Sequence, residues 1–367
     1  MDPRVEKMAG VMVNYSVAIR PGDLVMIHPY DPLASPLALA VYKHVLQAGG
    51  NAVFRMAPSG ASEIFYRYAS DEQLDFTDPS FLWLMENIDV RIAINAPANT
   101  RALTNVDPKR LSRSGRAQEP ISQTFFRRQA TGELRWVLTQ YPTQAAAQDA
   151  EMSLTEYEEF VYGAVLVNPD DPVAYWQEKS AGQQRLGDWL KGKDRVEVRG
   201  ENVDLTLSIR DRVFINADGK KNLPDGEIFT GPVEDSVNGW VRFTYPAIHN
   251  NREVVGVELT FEQGKVVRAT AEKGEDYLNA ILDTDPGARY LGEFAIGTNE
   301  AIQRFTRNIL FDEKIGGTIH MAVGAGYPDT GSKNKSAIHW DMICDMRSGG
   351  EILVDGELFY RDGQFQV

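Results

Sequence analysis

Apolar positions in the first half of the chain fall into short blocks of two alternating periodicities. Residues 23–28 (Asp-Leu-Val-Met-Ile-His) form a near-continuous apolar run introduced by Pro21-Gly22, which predicts a buried strand. Over residues 35–48 the apolar positions recur at helical spacing and stop at Gly49-Gly50, a helix-ending pair. Residues 51–56 predict the next strand, 62–68 a helical stretch, and 90–94 and 134–138 two further strands. Ser153-Leu-Thr-Glu156 is a capping-box pattern that opens a helix, and Asn168-Pro-Asp-Asp-Pro172 separates it from another over 173–190. Alternation of this kind predicts an α/β fold: a doubly wound, mostly parallel sheet with helices on its faces.

Near residue 190 the texture changes. Residues 196–199, 203–209 and 254–261 alternate or are β-branched, with turns between them, and 351–360 read as a hairpin on Asp355-Gly356. The pattern therefore predicts an N-terminal α/β domain over 1–190 and a C-terminal, β-rich mixed α+β domain over 191–367. Internal repeats and low-complexity segments are absent from the sequence.

Composition narrows the function classes. With 367 residues the chain can bury a full core, and 43% hydrophobic with 25% charged residues is ordinary for a globular protein. A net charge of −14 argues against nucleic-acid binding, which needs a basic face for phosphates. The one local basic run, residues 109–128, reads as a solvated helix face or loop. A single cysteine, Cys344, precludes an intrachain disulfide and fits a reducing cytoplasm; in place it reads as a small buried hydrophobe. The N-terminal residues lack the apolar core of a signal peptide, and no run approaches a membrane span, so a soluble cytoplasmic protein is expected.

Several catalytic signatures are missing, among them His-Glu-x-x-His, paired Cys-x-x-Cys and Gly-x-Ser-x-Gly. Residues 326–333 imitate phosphate-loop glycine spacing, but the lysine comes one position late. What stands out is the run from Thr318 to Pro328 followed by Ser336 to Ile343, which holds two of the five histidines, His320 and His339. If 338–343 is a strand, His339 and Asp341 point one way and Trp340 and Met342 the other. Imidazole and carboxylate side by side suit a first-row metal ion, and His320, on a similar apolar run, can meet them across a sheet. Glu227 follows a proline-glycine turn, and Glu293 is embedded in an otherwise apolar strand. A buried carboxylate is costly unless it is paired, hydrogen-bonded or on a metal. Two glutamates, two histidines and one aspartate suit a two-metal hydrolytic site with one bridging carboxylate. Each residue also has a plainer reading: a histidine satisfied within the core, an exposed glutamate, or Tyr327 as a packing tyrosine. Glu234 competes with Glu227, and His28, His44 and His249 lack partners in the pattern and read as structural.

The chain resembles the aminopeptidase T and aminopeptidase S family of dinuclear metallo-aminopeptidases nearly end to end. The likeness runs from residues 13–23 through Tyr141-Pro-Thr, 152–158 and 171–176 to 223–230, Leu291-Gly-Glu293, His320 to Tyr327-Pro328, and Ile338-His-Trp-Asp341. It implies that Glu227, Glu293, His320, His339 and Asp341 ligate two divalent ions (zinc, cobalt or manganese). Glu293 would bridge them, with Glu227 and His339 on one ion and His320 and Asp341 on the other. Tyr327 would be the catalytic tyrosine, acting with Glu293. The implied activity is release of N-terminal amino acids from peptides by a two-metal-activated water, in a homodimer. Two alternatives stay open: a mononuclear non-haem iron dioxygenase of the same fold group, built on His320, His339 and Asp341, and an inactive peptide-binding relative.

Overall fold

The computed structural model of the chain describes residues 2–250 and 252–367. The chain forms two compact units, residues 1–176 with 219–224, and 177–218 with 225–367.

In the first unit five strands lie in the order Asn51–Phe54, Leu24–Pro29, Val90–Asn95, Arg135–Gln140 and Asn222–Leu223. Every neighbouring pair is parallel, as the strand–helix alternation predicts. The central strands are covered on both faces, and Val25, Met26, Ile27, Ile92 and Ile94 are fully buried, so their sequences are apolar runs rather than alternations. Helix Ser35–Gln47 crosses between the first two strands, burying Leu37, Ala38, Val41 and Val45 at helical spacing. Gly49, at φ +83°, supplies the left-handed residue that ends it. Ser153 and Glu156 form the expected capping box on helix Leu154–Ala164.

The basic run lies on helices Pro108–Ala117 and Glu119–Ala130, and it is not uniformly solvated. Arg113 pairs with Asp71 and Asp75 at the surface. Arg128 instead is buried and donates from Nη1 to the carbonyls of Met85 and Ile88, both at 2.8 Å. Charge spacing alone cannot separate an arginine that holds loop carbonyls from one that faces water.

The second unit contains an eight-stranded and a five-stranded sheet, both antiparallel, together with a two-stranded ribbon. Apolar side chains of the two large sheets, among them Val198, Leu205, Phe261, Phe294, Met321 and Trp340, form one core. The hairpin turns at Asp355-Gly356, both at positive φ, and joins Glu351–Val354 to Glu357–Arg361. The 254–261 run divides at Gly256: Arg252–Val254 pairs with Ala247–His249, whereas Glu258–Glu262 joins the eight-stranded sheet. Gly256 sits at φ +66°, a conformation in which a β-branched residue would be strained.

The five-stranded sheet has the order His339–Asp345, Thr318–Gly324, Leu291–Gly297, Glu227–Thr230, Ile215–Ala217. Its Thr318–Gly324 and Leu291–Gly297 strands are buried along their whole length.

Candidate metal centre

The register of the five-stranded sheet assembles the candidate residues. Ala322 faces Asp341 on one side and Glu293 on the other, so these three form one row across the sheet. In the next row His320 faces Ala295, which in turn faces Phe229. Residues two apart on a strand share a face, so His339 falls beside Asp341, His320 beside Ala322, and Glu227 beside Phe229. All five residues therefore project from one face. Between them stand Ala322, Ala295 and Gly297, which are small and leave the carboxylates and imidazoles room to converge. The alternate positions, Phe294, Ile296, Ile319, Met321, Trp340 and Met342, fill the core beneath. Trp340 and Met342 thus point opposite to His339 and Asp341, as the alternation predicts.

Glu293 is the pivot. Its Oε1 lies 3.1 Å from His320 Nε2 and its Oε2 lies 3.6 Å from His339 Nε2. Glu227 Oε2 is 3.3 Å from His320 Nε2, and Asp341 Oδ1 is 3.4 Å from His339 Nε2. Three overlapping groups each bring their ligand atoms within 4.8 Å of one another: Glu227–Glu293–His320, Glu293–His339–Asp341 and Glu313–His320–Asp341. His320 belongs to two of these groups, so the distances are compatible with more than one sharing of ligands, and they pair Glu227 with His320 as closely as His339 with Asp341.

The local backbone explains why His339 presents Nε2. Its Nδ1 lies 2.8 Å from the Ala325 carbonyl, which can only accept, so Nδ1 carries a proton and Nε2 is the ring nitrogen left to face the carboxylates. Two glycines make this possible. A Cβ on Gly292 would lie 2.1 Å from Ala325 O, and one on Gly324 would lie 2.2 Å from Ile338 O. Gly292 immediately precedes Glu293, so one dipeptide supplies both the close approach and the central carboxylate.

Electrostatics test whether this donor set fits cations. Burial pushes Glu227 up to about 8, opposed by Lys314 and reinforced by Glu313 and Glu293. Burial works against a protonated His320, yet its hydrogen bond to Glu293 and the charge of Glu227 push it up to about 9. His339 shows the same balance, raised to about 10 by Asp341 against burial. Asp341, despite burial, is held down at about 2 by His339. Protons are thus drawn onto both imidazoles to balance the carboxylates, which is the demand that divalent cations satisfy in a nitrogen–oxygen site. Glu227 Oε2 is buried and makes no hydrogen bond within the protein, as befits an oxygen reserved for a ligand. The residues present fit divalent metal.

Tyr327 stands at the mouth, 46% exposed, just before the 3-10 turn Pro328–Thr330, with its ring centroid 5.2 Å from that of His339. Desolvation of its hydroxyl, with Glu293 and Asp341 nearby, keeps it protonated far above the usual tyrosine range. The residues resembling a phosphate loop form this turn and its flanks, with no helix following them. Glu234 is elsewhere engaged: it pairs with Arg212 at 2.8 Å and accepts from the Lys333 amide.

Three charged residues were not singled out by the sequence pattern. Glu313 meets His320 and Asp341, while Lys314 and Asp225 are buried beside Glu227. Burial opposes the Lys314 ammonium, but Glu227, Glu313 and Asp225 outweigh it and hold it charged. The signal was present in Asp312-Glu313-Lys314, a charged triplet between Ile309-Leu-Phe311 and Ile315, to which the reasoning used for Glu293 applies equally.

Comparison with known proteins places this geometry in context. A family model described as thermophilic metalloprotease (M29) matches residues 1–365. Aminopeptidase 2 of Geobacillus stearothermophilus is 28% identical over 380 residues, covering 96% of this chain and 90% of that protein. The solved structure of wild-type AmpT from Thermus thermophilus shares the fold, with a TM-score of 0.88 at 21% identity over 100% of this chain and 99% of that one. A 2,5-dihydroxypyridine dioxygenase from Pseudomonas putida KT2440 is a more distant fold relative, with a TM-score of 0.61 at 14% identity over 100% and 97%.

Proposed function

The chain belongs to the M29 family of metalloproteases, and from that premise we propose that it is a dinuclear metallo-aminopeptidase removing N-terminal residues from peptides. The observation that carries the two-metal reading is the position of Glu293, one oxygen toward His320 and the other toward His339. Charge supports it. With every carboxylate ionised, Asp225, Glu227, Glu293, Glu313 and Asp341 with the Lys314 ammonium carry four negative charges, which two divalent ions would cancel. The aminopeptidase name of the relative in Geobacillus stearothermophilus supports the choice of a free N-terminus as the substrate feature.

In this reading Glu227, Glu293, His320, His339 and Asp341 hold zinc, cobalt or manganese. When bound, such ions supply Lewis acidity toward water and toward the scissile carbonyl. Glu293 keeps the two ligand groups at a fixed separation, and the Ala325 carbonyl keeps His339 in the tautomer that offers Nε2. Tyr327, protonated at working pH, donates its hydroxyl to the oxyanion of the tetrahedral intermediate. A carboxylate of the cluster passes a proton to the leaving amine. The acidic surroundings attract the substrate's terminal ammonium. A homodimeric, cytoplasmic enzyme completes the proposal, resting on the family resemblance and the single cysteine. Among the described residues no helix is long and apolar enough to cross a membrane.

The test is hydrolysis of aminoacyl amides and of matched free and N-acetylated peptides after chelation and stepwise metal return, with bound ions counted in parallel. Activity that rises with about two equivalents per chain and is confined to free N-termini is expected. Internal cleavage of the acetylated peptides would overturn the aminopeptidase assignment. One tightly held iron with oxygen uptake would favour the dioxygenase instead. Retention of Glu227 and Glu293 in the cluster argues against that alternative.

A further inference from the structure

Lysine is almost never fully buried without partners, because its ammonium loses hydration that only close anions replace. Lys314 is 0% exposed. Its Nζ lies 2.8 Å from Glu227 Oε1 and 3.7 Å from Asp225 Oδ1, and it also hydrogen-bonds Glu313 Oε1. These partners belong to the metal cluster or border it, so the cation is part of the site rather than of the apolar core. The ammonium also divides the two oxygens of Glu227. Oε1 is taken by Lys314, whereas Oε2, 3.3 Å from His320 Nε2, has no hydrogen-bond partner. Glu313 is treated the same way: one oxygen goes to Lys314, while the residue still meets His320 and Asp341.

We propose that Lys314 is a positioning residue and the built-in cation of the metal centre, holding Glu227 to a single free oxygen. The proposal rests on the two-metal reading above. Without the ammonium, Glu227 is free to turn and offer both oxygens, and the cluster carries one uncompensated negative charge. A small monovalent cation can then occupy the place of Nζ.

The experiment uses the full-length protein loaded with cobalt(II), whose visible absorption reports coordination without relying on turnover. Lys314→Ala is expected to change the cobalt spectrum and the affinity for one ion by about ten- to a hundredfold, the usual scale for groups that orient a ligand. Added methylammonium is expected to restore the wild-type spectrum, and tetramethylammonium, too large for the space, is not. If that variant does not fold, Lys314→Met with Glu313→Gln removes the buried pair together, a replacement proteins often tolerate. That double variant is expected to keep two ions but not the wild-type spectrum. A wild-type spectrum and affinities in either variant would overturn the proposal, leaving Lys314 a structural pair only. If the wild-type protein takes up no divalent ions, the two-metal reading falls as well; if it takes up two while the variants match it, only the role of Lys314 falls.

Discussion

Replacing Glu293 by glutamine separates a bridging carboxylate from one that serves a single site. The change keeps the side-chain shape and removes one negative charge from a position facing both His320, at 3.1 Å, and His339, at 3.6 Å. At an effective dielectric of about 20, two unit charges 4 Å apart interact by about 4 kcal/mol, so a unit charge facing a divalent ion contributes roughly twice that. If desolvation cancels about two-thirds, roughly 3 kcal/mol remains for each ion, or about a hundredfold in Kd. Both ions should weaken together in Glu293→Gln, whereas Glu227→Gln should weaken mainly one. Metal-free protein should also respond. Glu293 is 4% exposed and paired with both imidazoles, so removing its charge strips a buried partner from His320 and His339 and should leave the chelated variant less stable than chelated wild type. Titration calorimetry with zinc or cobalt gives the affinities and stoichiometry, and thermal melts with and without chelator give the stabilities. Two ions bound with wild-type affinity by Glu293→Gln would refute the bridging geometry.

Tyr327→Phe removes the proposed oxyanion donor but no ligand, so kcat should fall by about a hundred- to a thousandfold with metal stoichiometry unchanged. Gly292→Ala drives a Cβ to 2.1 Å from the Ala325 carbonyl and so disturbs the atom that orients His339; metal affinity should drop about ten- to a hundredfold, a loss visible by equilibrium dialysis. In the first unit, His28 is held down at about 3 by burial, helped by Arg91 and Arg55, against an ordinary 6.5. The unfolded chain takes up that proton first, so His28 costs stability as pH falls from 6.5 toward 3, by up to about 1.4 kcal/mol per pH unit. Urea midpoints of His28→Phe should decline less than wild type between pH 7 and pH 4, and parallel declines would sink the assignment. Saturating metal at about a hundred times Kd should add about 2.7 kcal/mol to wild-type stability, reversed by chelator.

Much of this protein is written in local pattern. The apolar runs at 23–28 and 90–94 announce strands covered on both faces, and the glycine pair after residue 48 announces where a helix stops, because φ and burial are local consequences of side-chain type. Strand alternation places His339 and Asp341 on one face before any fold is known, and the expense of burying Glu293 marks it as a candidate ligand. Register is a different matter. That Ala322 stands between Glu293 and Asp341, or that Glu227 comes level with Gly297, depends on which strands pair and on a register shift between Leu291 and Glu293, and no short stretch of sequence contains that information. The same holds for Lys314. As sequence it is one charge in a triplet, and only tertiary packing takes it out of water and sets it against Glu227. Similarly, Arg128 looks like its solvated neighbours until the Met85 and Ile88 carbonyls are brought to it. Side-chain chemistry and strand period determined which residues could ligate; long-range pairing alone decided which of them meet, how closely, and with what compensating charge.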